Sequence, residues 1–163
     1  MLVLPILIGV VLAVMLLAGY LWGLADDAKL RRMQPYTVEQ QQKHGEALIA
    51  GLNSRNPEQV DLFHTDDDEA AAARARITRN VEAAMPNPGC HYVLESVHDD
   101  GEQGRRSVGW LGNGNGGIET YQYHLSVIEV CPNAHPVPLK IGVIAVPSGM
   151  AGQWADAALS IEQ

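Results

Sequence analysis

A chain of 163 residues and 17.6 kDa is long enough for one small domain and too short for two ordinary ones. No charged side chain precedes Asp26, so all 11 basic and 19 acidic residues, and the net charge of -8, belong to residues 26–163. Nucleic acid is excluded as the first guess, because phosphate neutralisation needs a clustered basic face; 47% hydrophobic residues exclude wholesale disorder, and two cysteines are too few for a disulfide scaffold.

Leu2 to Ala25 is an uncharged, mostly apolar run. As a helix it would extend about 36 Å at ~1.5 Å per residue, enough to cross a hydrocarbon core of roughly 30 Å with some tilt. Tyr20 and Trp22 suit the headgroup layer, and Asp26, Asp27, Lys29, Arg31 and Arg32 mark the water beyond it. Pro5 falls in the first turns, where a missing donor costs least. A cleaved signal peptide ending at Gly23-Leu24-Ala25 is the competing reading. Against it stand the length of the run and the lack of a preceding Lys or Arg. Residues 1–25 are therefore expected to anchor the chain in a lipid bilayer through residues 2–25. Lys29, Arg31 and Arg32 favour a cytoplasmic C-terminal side. The pair Cys90 and Cys131, and the tendency of a lone N-terminal apolar segment to start export, favour an extracytoplasmic domain, which is the expectation adopted.

Residues 26–36 are a polar connector ending near Pro35, and residues 37–163 form the domain. Thr37 with Gln40 is a capping-box pattern, and Val38, Leu48, Ile49 and Leu52 give the apolar face of a helix over about residues 38–52. Asn53, Ser54 and Asn56 break it. Asn56-Pro57 is an N-cap with proline at the first helical position, predicting a short helix through Phe63, with Val60 and Phe63 buried. Acidic residues from Thr65 to Glu69 suit the start of another helix, whose stripe of Ala70, Ala73, Ile77, Val81 and Ala84 runs until Pro86 and Pro88.

From Cys90 the period changes to alternation. Cys90 to Val97 predicts a strand, Asp99-Asp100-Gly101 its turn, and Arg106 to Leu111 a second strand. Gly112 to Gly117 supplies a hairpin connection; it lacks the Lys and Ser or Thr of a phosphate loop and is flanked by strands. Ile118 to Cys131 is the clearest pattern, with Tyr121, Tyr123, Leu125 and Val127 on one face and Thr120, Gln122, His124 and Ser126 on the other. Pro132 to Pro138 is a loop, Leu139 to Val146 a fourth strand, and Ser148 the cap of a last short helix carrying Trp154 and Leu159. The expected architecture is α+β, an N-terminal transmembrane helix followed by helices packed on one face of an antiparallel four-stranded sheet.

The order of helix, Asn-Pro turn, longer helix and strand meander resembles the cystatin-like domains of the nuclear-transport-factor-2-like superfamily. The stretch Gly45 to Glu58, including Asn53-Ser54-Arg55-Asn56-Pro57, looks like that superfamily's first helix and following turn. The resemblance covers residues 37–147. It implies a curved sheet wrapping the helices into a cone whose mouth holds a ligand, an active site or a partner, and an envelope setting of the actinobacterial type. It transfers no catalytic residue, and fold does not choose among those uses.

The residues themselves carry little chemistry. His44, His64, His91, His98, His124 and His135 show no metal-ligand spacing. His91 and Glu95 share a strand face, and His124 would have to approach from a neighbour to complete a three-ligand site. A steroid-isomerase-like site would need a buried acid opposite Tyr121 or Tyr123, and no acid falls on that face before Glu129. Ser107, Ser126 and Ser148 lack a nucleophile elbow. Trp110, Tyr121 and Tyr123 are the candidate pocket or core face. Bonding of Cys90 to Cys131 would close about 40 residues and contribute roughly 4 kcal/mol in the loop model. The expected meander, however, separates them by about 20 Å at ~3.3 Å per residue. Either the third strand bends back, or the strand order differs, or the thiols stay free. The expectation is a non-enzymatic, membrane-anchored interaction domain without metal or cofactor, an accessory subunit binding another envelope protein. The alternatives are a binder of a small apolar or lipidic ligand in the cone and, further off, an isomerase-like enzyme.

Overall fold

The computed structural model describes Met15 and residues 33–63, 70–108, 111, 117–148 and 152–162. Among the described residues two helices, α1 (Val38–Ser54) and α2 (Ala70–Ala84), and a 3-10 turn at Pro57–Gln59 precede four strands. These are β1 (His91–Arg106), β2 (Ile118–Val130), β3 (Val137–Ser148) and β4 (Gln153–Glu162). They form one antiparallel meander in chain order. The chain is α+β. Among the described residues no helix is long and apolar enough to cross a membrane; the expected anchor lies outside them apart from Met15, as do most of the connector, the acidic run Thr65 to Glu69, and Trp110.

Helix α1 starts where its capping box sits: the Thr37 side chain accepts from the Gln40 backbone N–H and the Gln40 side chain accepts from the Thr37 N–H. It runs to Ser54, two residues further than predicted, and Arg55 ends it in the left-handed region at φ 60°. Asn56 caps only three residues from Pro57, so the expected helix to Phe63 stops at Val60. Leu48, Ile49 and Leu52 of α1 and Val81 and Ala84 of α2 meet Tyr123, Leu125, Val127, Ile141 and Val143 in one core on one sheet face. Gly51 permits α1 to lie against the 3-10 turn, since a Cβ there would stand 2.8 Å from the Gln59 carbonyl oxygen.

The strands depart from the sequence-based expectation in two places. Asp99-Asp100-Gly101 does not reverse the chain. β1 continues through it with register slips at Leu94/Ser96, Asp99/Gly101 and Glu102/Gly104, and Gly101 and Gly104 supply the positive φ these bulges use. Among the described residues there is accordingly no separate strand from Arg106 to Leu111; Arg106 of β1 pairs directly with Ile118 of β2, and the expected glycine-rich connection at 112–116 lies outside the described residues. The second correction is at the C-terminus, where β4 replaces the expected helix after Ser148. Pairing with β3 outweighs the helix preference of its alanines.

One long β1 brings the cysteines together. His91 pairs with Val130, so Cys90 and Cys131 flank adjacent strand ends and are joined by a disulfide, not held 20 Å apart. Both sheet edges are clasped by helix asparagines. Asn53 of α1 donates to the Tyr92 carbonyl and accepts its N–H at 2.9 and 2.7 Å; Asn80 of α2 does the same for Leu159 at 2.7 and 2.9 Å. Edge-strand groups that would otherwise be open are thereby satisfied.

Candidate functional site

On β2 the alternation predicted from sequence is present: Tyr121, Tyr123, Leu125 and Val127 are buried, while Gln122, His124 and Ser126 are only half-buried. Thr120 is the exception, buried and donating to the Gly104 carbonyl at 2.9 Å. Against this face β4 brings a carboxylate that sequence reasoning did not place there. Ala158 pairs with Ile144 and Asp156 with Ala145, leaving Ala157 as an extra residue. On a regular strand Asp156 would share the face of Ala158. The bulge turns it to the face of Leu159, into the core.

Asp156 is 6% exposed and is held by two phenols. The Tyr36 hydroxyl donates to Oδ1 at 2.9 Å and the Tyr123 hydroxyl to Oδ2 at 2.8 Å. His44 of α1 places Nδ1 2.7 Å from the Tyr36 hydroxyl oxygen and 3.5 Å from Asp156 Oδ2. Burial, then the Asp156 charge, raises both phenol pKa values far above the ordinary range. Each phenol has one proton and gives it to Asp156, so His44 Nδ1 must carry its own and donate to Tyr36. The neighbouring Asp156 carboxylate raises the His44 pKa, against the opposing effect of burial.

The imidazole stands between two hollows. A cavity of about 310 Å³ is lined by His44, Leu48, Gln59, Asp61, Phe63 and Ser148, with Asp156 at its wall. A smaller one of about 150 Å³ lies against Tyr36, Gln40 and Trp154. The Tyr36, Tyr121 and Trp154 rings pack on one another at centroid distances of 5.3–6.4 Å, and the Trp154 indole N–H donates to the Gln34 carbonyl at 2.9 Å. Burial pushes the Tyr121 phenol up to about 12. Beside them Gln41 is fully buried; its Nε2 donates to the Tyr36 carbonyl, and its Oε1 has no partner among the described residues.

The other sequence candidates are dispersed or structural. His91 pairs with Val130, whereas His124 lies six positions along β2 opposite His98, so His91, Glu95 and His124 do not converge. Glu129 is buried and accepts from the Asn87 backbone and side-chain N–H groups at 2.6 and 3.0 Å. It lies near both cysteine sulfurs, but these are joined to each other and offer no thiolate. Ser148 lines the cavity beside His44; Ser126 is on the outer face. The residues sequence reasoning missed are Asp156, Tyr36 and His44. The advance signal for Asp156 is the alternation of Leu159 and Ile161, which betrays a strand; no such pattern marks Tyr36 or His44.

Comparison with known proteins returns no matching family model, no matching curated protein and no matching solved structure.

Proposed function

We propose that this chain is a membrane-anchored, extracytoplasmic binding domain of the cystatin-like, nuclear-transport-factor-2-like type, and that it holds a small ligand in the cavity beside His44. The observation that carries the reading is a buried carboxylate that accepts from two phenols, one of which, Tyr36, holds the His44 imidazole at the wall of a hollow of about 310 Å³. Pockets of that size with a few convergent polar groups suit small molecules. The Cys90–Cys131 disulfide supports the outside placement, because such bonds persist in oxidising compartments. The apolar run 2–25 supports the anchor, and helices on one face of a bulged meander support the cone.

Binding within the cavity is favoured over the accessory-subunit reading. The cavity joins polar His44, Gln59, Asp61 and Asp156 with apolar Leu48 and Phe63, the make-up of a site for a small molecule. The isomerase-like reading meets a chemical objection. Tyr36 and Tyr123 both give their only proton to Asp156, and Tyr121 packs on Tyr36 and Trp154 and does not line the cavity, so none of the three is placed to donate to a substrate oxyanion there.

Native mass spectrometry of the protein extracted from its own membranes tests the proposal. A bound small molecule is expected, and Ala47→Trp, at an exposed position on the cavity wall, should remove it. A folded wild-type chain with an empty cavity, or a molecule retained by Ala47→Trp, would overturn it. Reporter fusions after Gln163 should show export; activity of a cytoplasmic reporter alone would refute the outside placement.

A further inference from the structure

The outer face of the sheet carries a second cluster, separate from the cavity. His98 of β1 and His124 of β2 are directly opposed across the strand pair, with ring centroids 4.7 Å apart and planes inclined by 17°. On its other side His124 pairs with Gly142 of β3, which presents no side chain. Asp100 is the extra residue of the Asp99/Gly101 bulge, and its carboxylate lies 3.1 and 3.2 Å from His124 Nδ1. The Ser96 hydroxyl lies 2.9 Å from His98 Nε2.

We infer that His98 and His124 form a site for a divalent first-row transition ion, Zn²⁺ or Cu²⁺, on this outer face. Each imidazole has one nitrogen held by an oxygen and its other nitrogen without a hydrogen-bond partner among the described residues. Asp100 accepts the Nδ1–H of His124 and so leaves the lone pair on Nε2. With Ser96 Oγ accepting from Nε2–H, His98 presents its lone pair at Nδ1. The carboxylate partner fixes the tautomer and orientation of His124, as such partners do for metal-binding imidazoles. Metal–nitrogen bonds of about 2.0–2.1 Å require the two donors roughly 3.3 Å apart. From stacked rings, whose in-plane lone pairs do not converge, binding requires the exposed His98 to rotate about its broad terminal torsion and to exchange the Ser96 hydrogen bond for water, while His124 stays held by Asp100. Water completes the coordination, and Asp100 offsets part of the charge. Imidazole pairs select zinc or copper over magnesium and calcium, which prefer all-oxygen shells.

The test is titration of the full chain in detergent with Zn²⁺, Cu²⁺ and, as hard controls, Ca²⁺ and Mg²⁺. One zinc or copper ion per chain is expected. His98→Gln and His124→Gln should each weaken it at least tenfold, Asp100→Asn about 10- to 100-fold, as loss of a ligand's hydrogen-bond partner does, and His91→Gln not at all. Cu²⁺ should broaden the imidazole proton resonances of His98 and His124 in the wild-type chain, a readout that needs no variant to fold. No saturable zinc or copper site, unchanged affinity in the His98→Gln, His124→Gln double variant, equal binding of Ca²⁺, or broadening centred on His44 or His91 would overturn the inference.

Discussion

Replacing Tyr123 by Phe removes one oxygen from the centre of the domain and leaves the ring that packs there. The lost group donates to a carboxylate that is 6% exposed, at 2.8 Å, and Tyr123 itself is fully buried. Hydrogen bonds to charged groups contribute about 1.5–3 kcal/mol net, and that is the loss expected. Tyr36→Phe should cost a similar amount, since its hydroxyl serves Oδ1 at 2.9 Å. The combination is more informative. With one phenol gone Asp156 keeps the other; with both gone, a buried carboxylate faces only His44 Nδ1, at 3.5 Å. The double variant should therefore exceed the sum of the singles by about 0.5–3 kcal/mol, the range for residues that share a partner. Urea unfolding followed by tryptophan fluorescence would measure all three. Tyr92→Phe is the control: also buried, its hydroxyl has no hydrogen-bond partner among the described residues. A loss below about 0.5 kcal/mol for Tyr123→Phe, within the span of neutral surface changes, or strict additivity of the pair, would refute the view that two phenols hold a buried charge.

Reduction, or Cys90→Ser with Cys131→Ser, should lower stability by roughly 4 kcal/mol in the loop-entropy model for a separation of 41 residues, read as a shift of the denaturation midpoint. Gly51→Ala should destabilise despite alanine's helical advantage of about 1 kcal/mol, because the new methyl meets the Gln59 carbonyl at 2.8 Å and overpacking costs about 1–3 kcal/mol; a stabilised variant would refute the close contact. Because the folded-state pKa of His44 is raised above its ordinary 6.5 by Asp156, its contribution is complete below that value and is lost as pH rises through the folded pKa. His44→Gln should flatten the stability profile in that window, and an unchanged profile would place the titration elsewhere.

Local chemistry with a short reach made much of the domain legible in the sequence. The Thr37–Gln40 box, the prolines after α2 and the alternation of Tyr121 to Val127 each act within a few residues and appear where the pattern puts them. Asp-Asp-Gly was misleading for an equally local reason: the positive φ that makes a turn also makes a bulge, and only pairing with β2 selects the bulge. The same holds for β4, whose alanines favour helix until β3 offers a ladder.

The candidate sites depended wholly on tertiary structure. Asp156 faces the core because one extra residue, Ala157, breaks the period of two, and its partners Tyr36 and Tyr123 lie 120 and 33 positions away. His98 and His124 meet because β1 runs unbroken past Gly101, and the same continuity brings Cys90 to Cys131. The sequence alone determined the charge, the apolar N-terminal run and the caps, since these depend on composition and near neighbours. Register, bulges and the resulting side-chain meetings were decided by the assembled sheet, because a shift of one residue moves every following side chain to the opposite face.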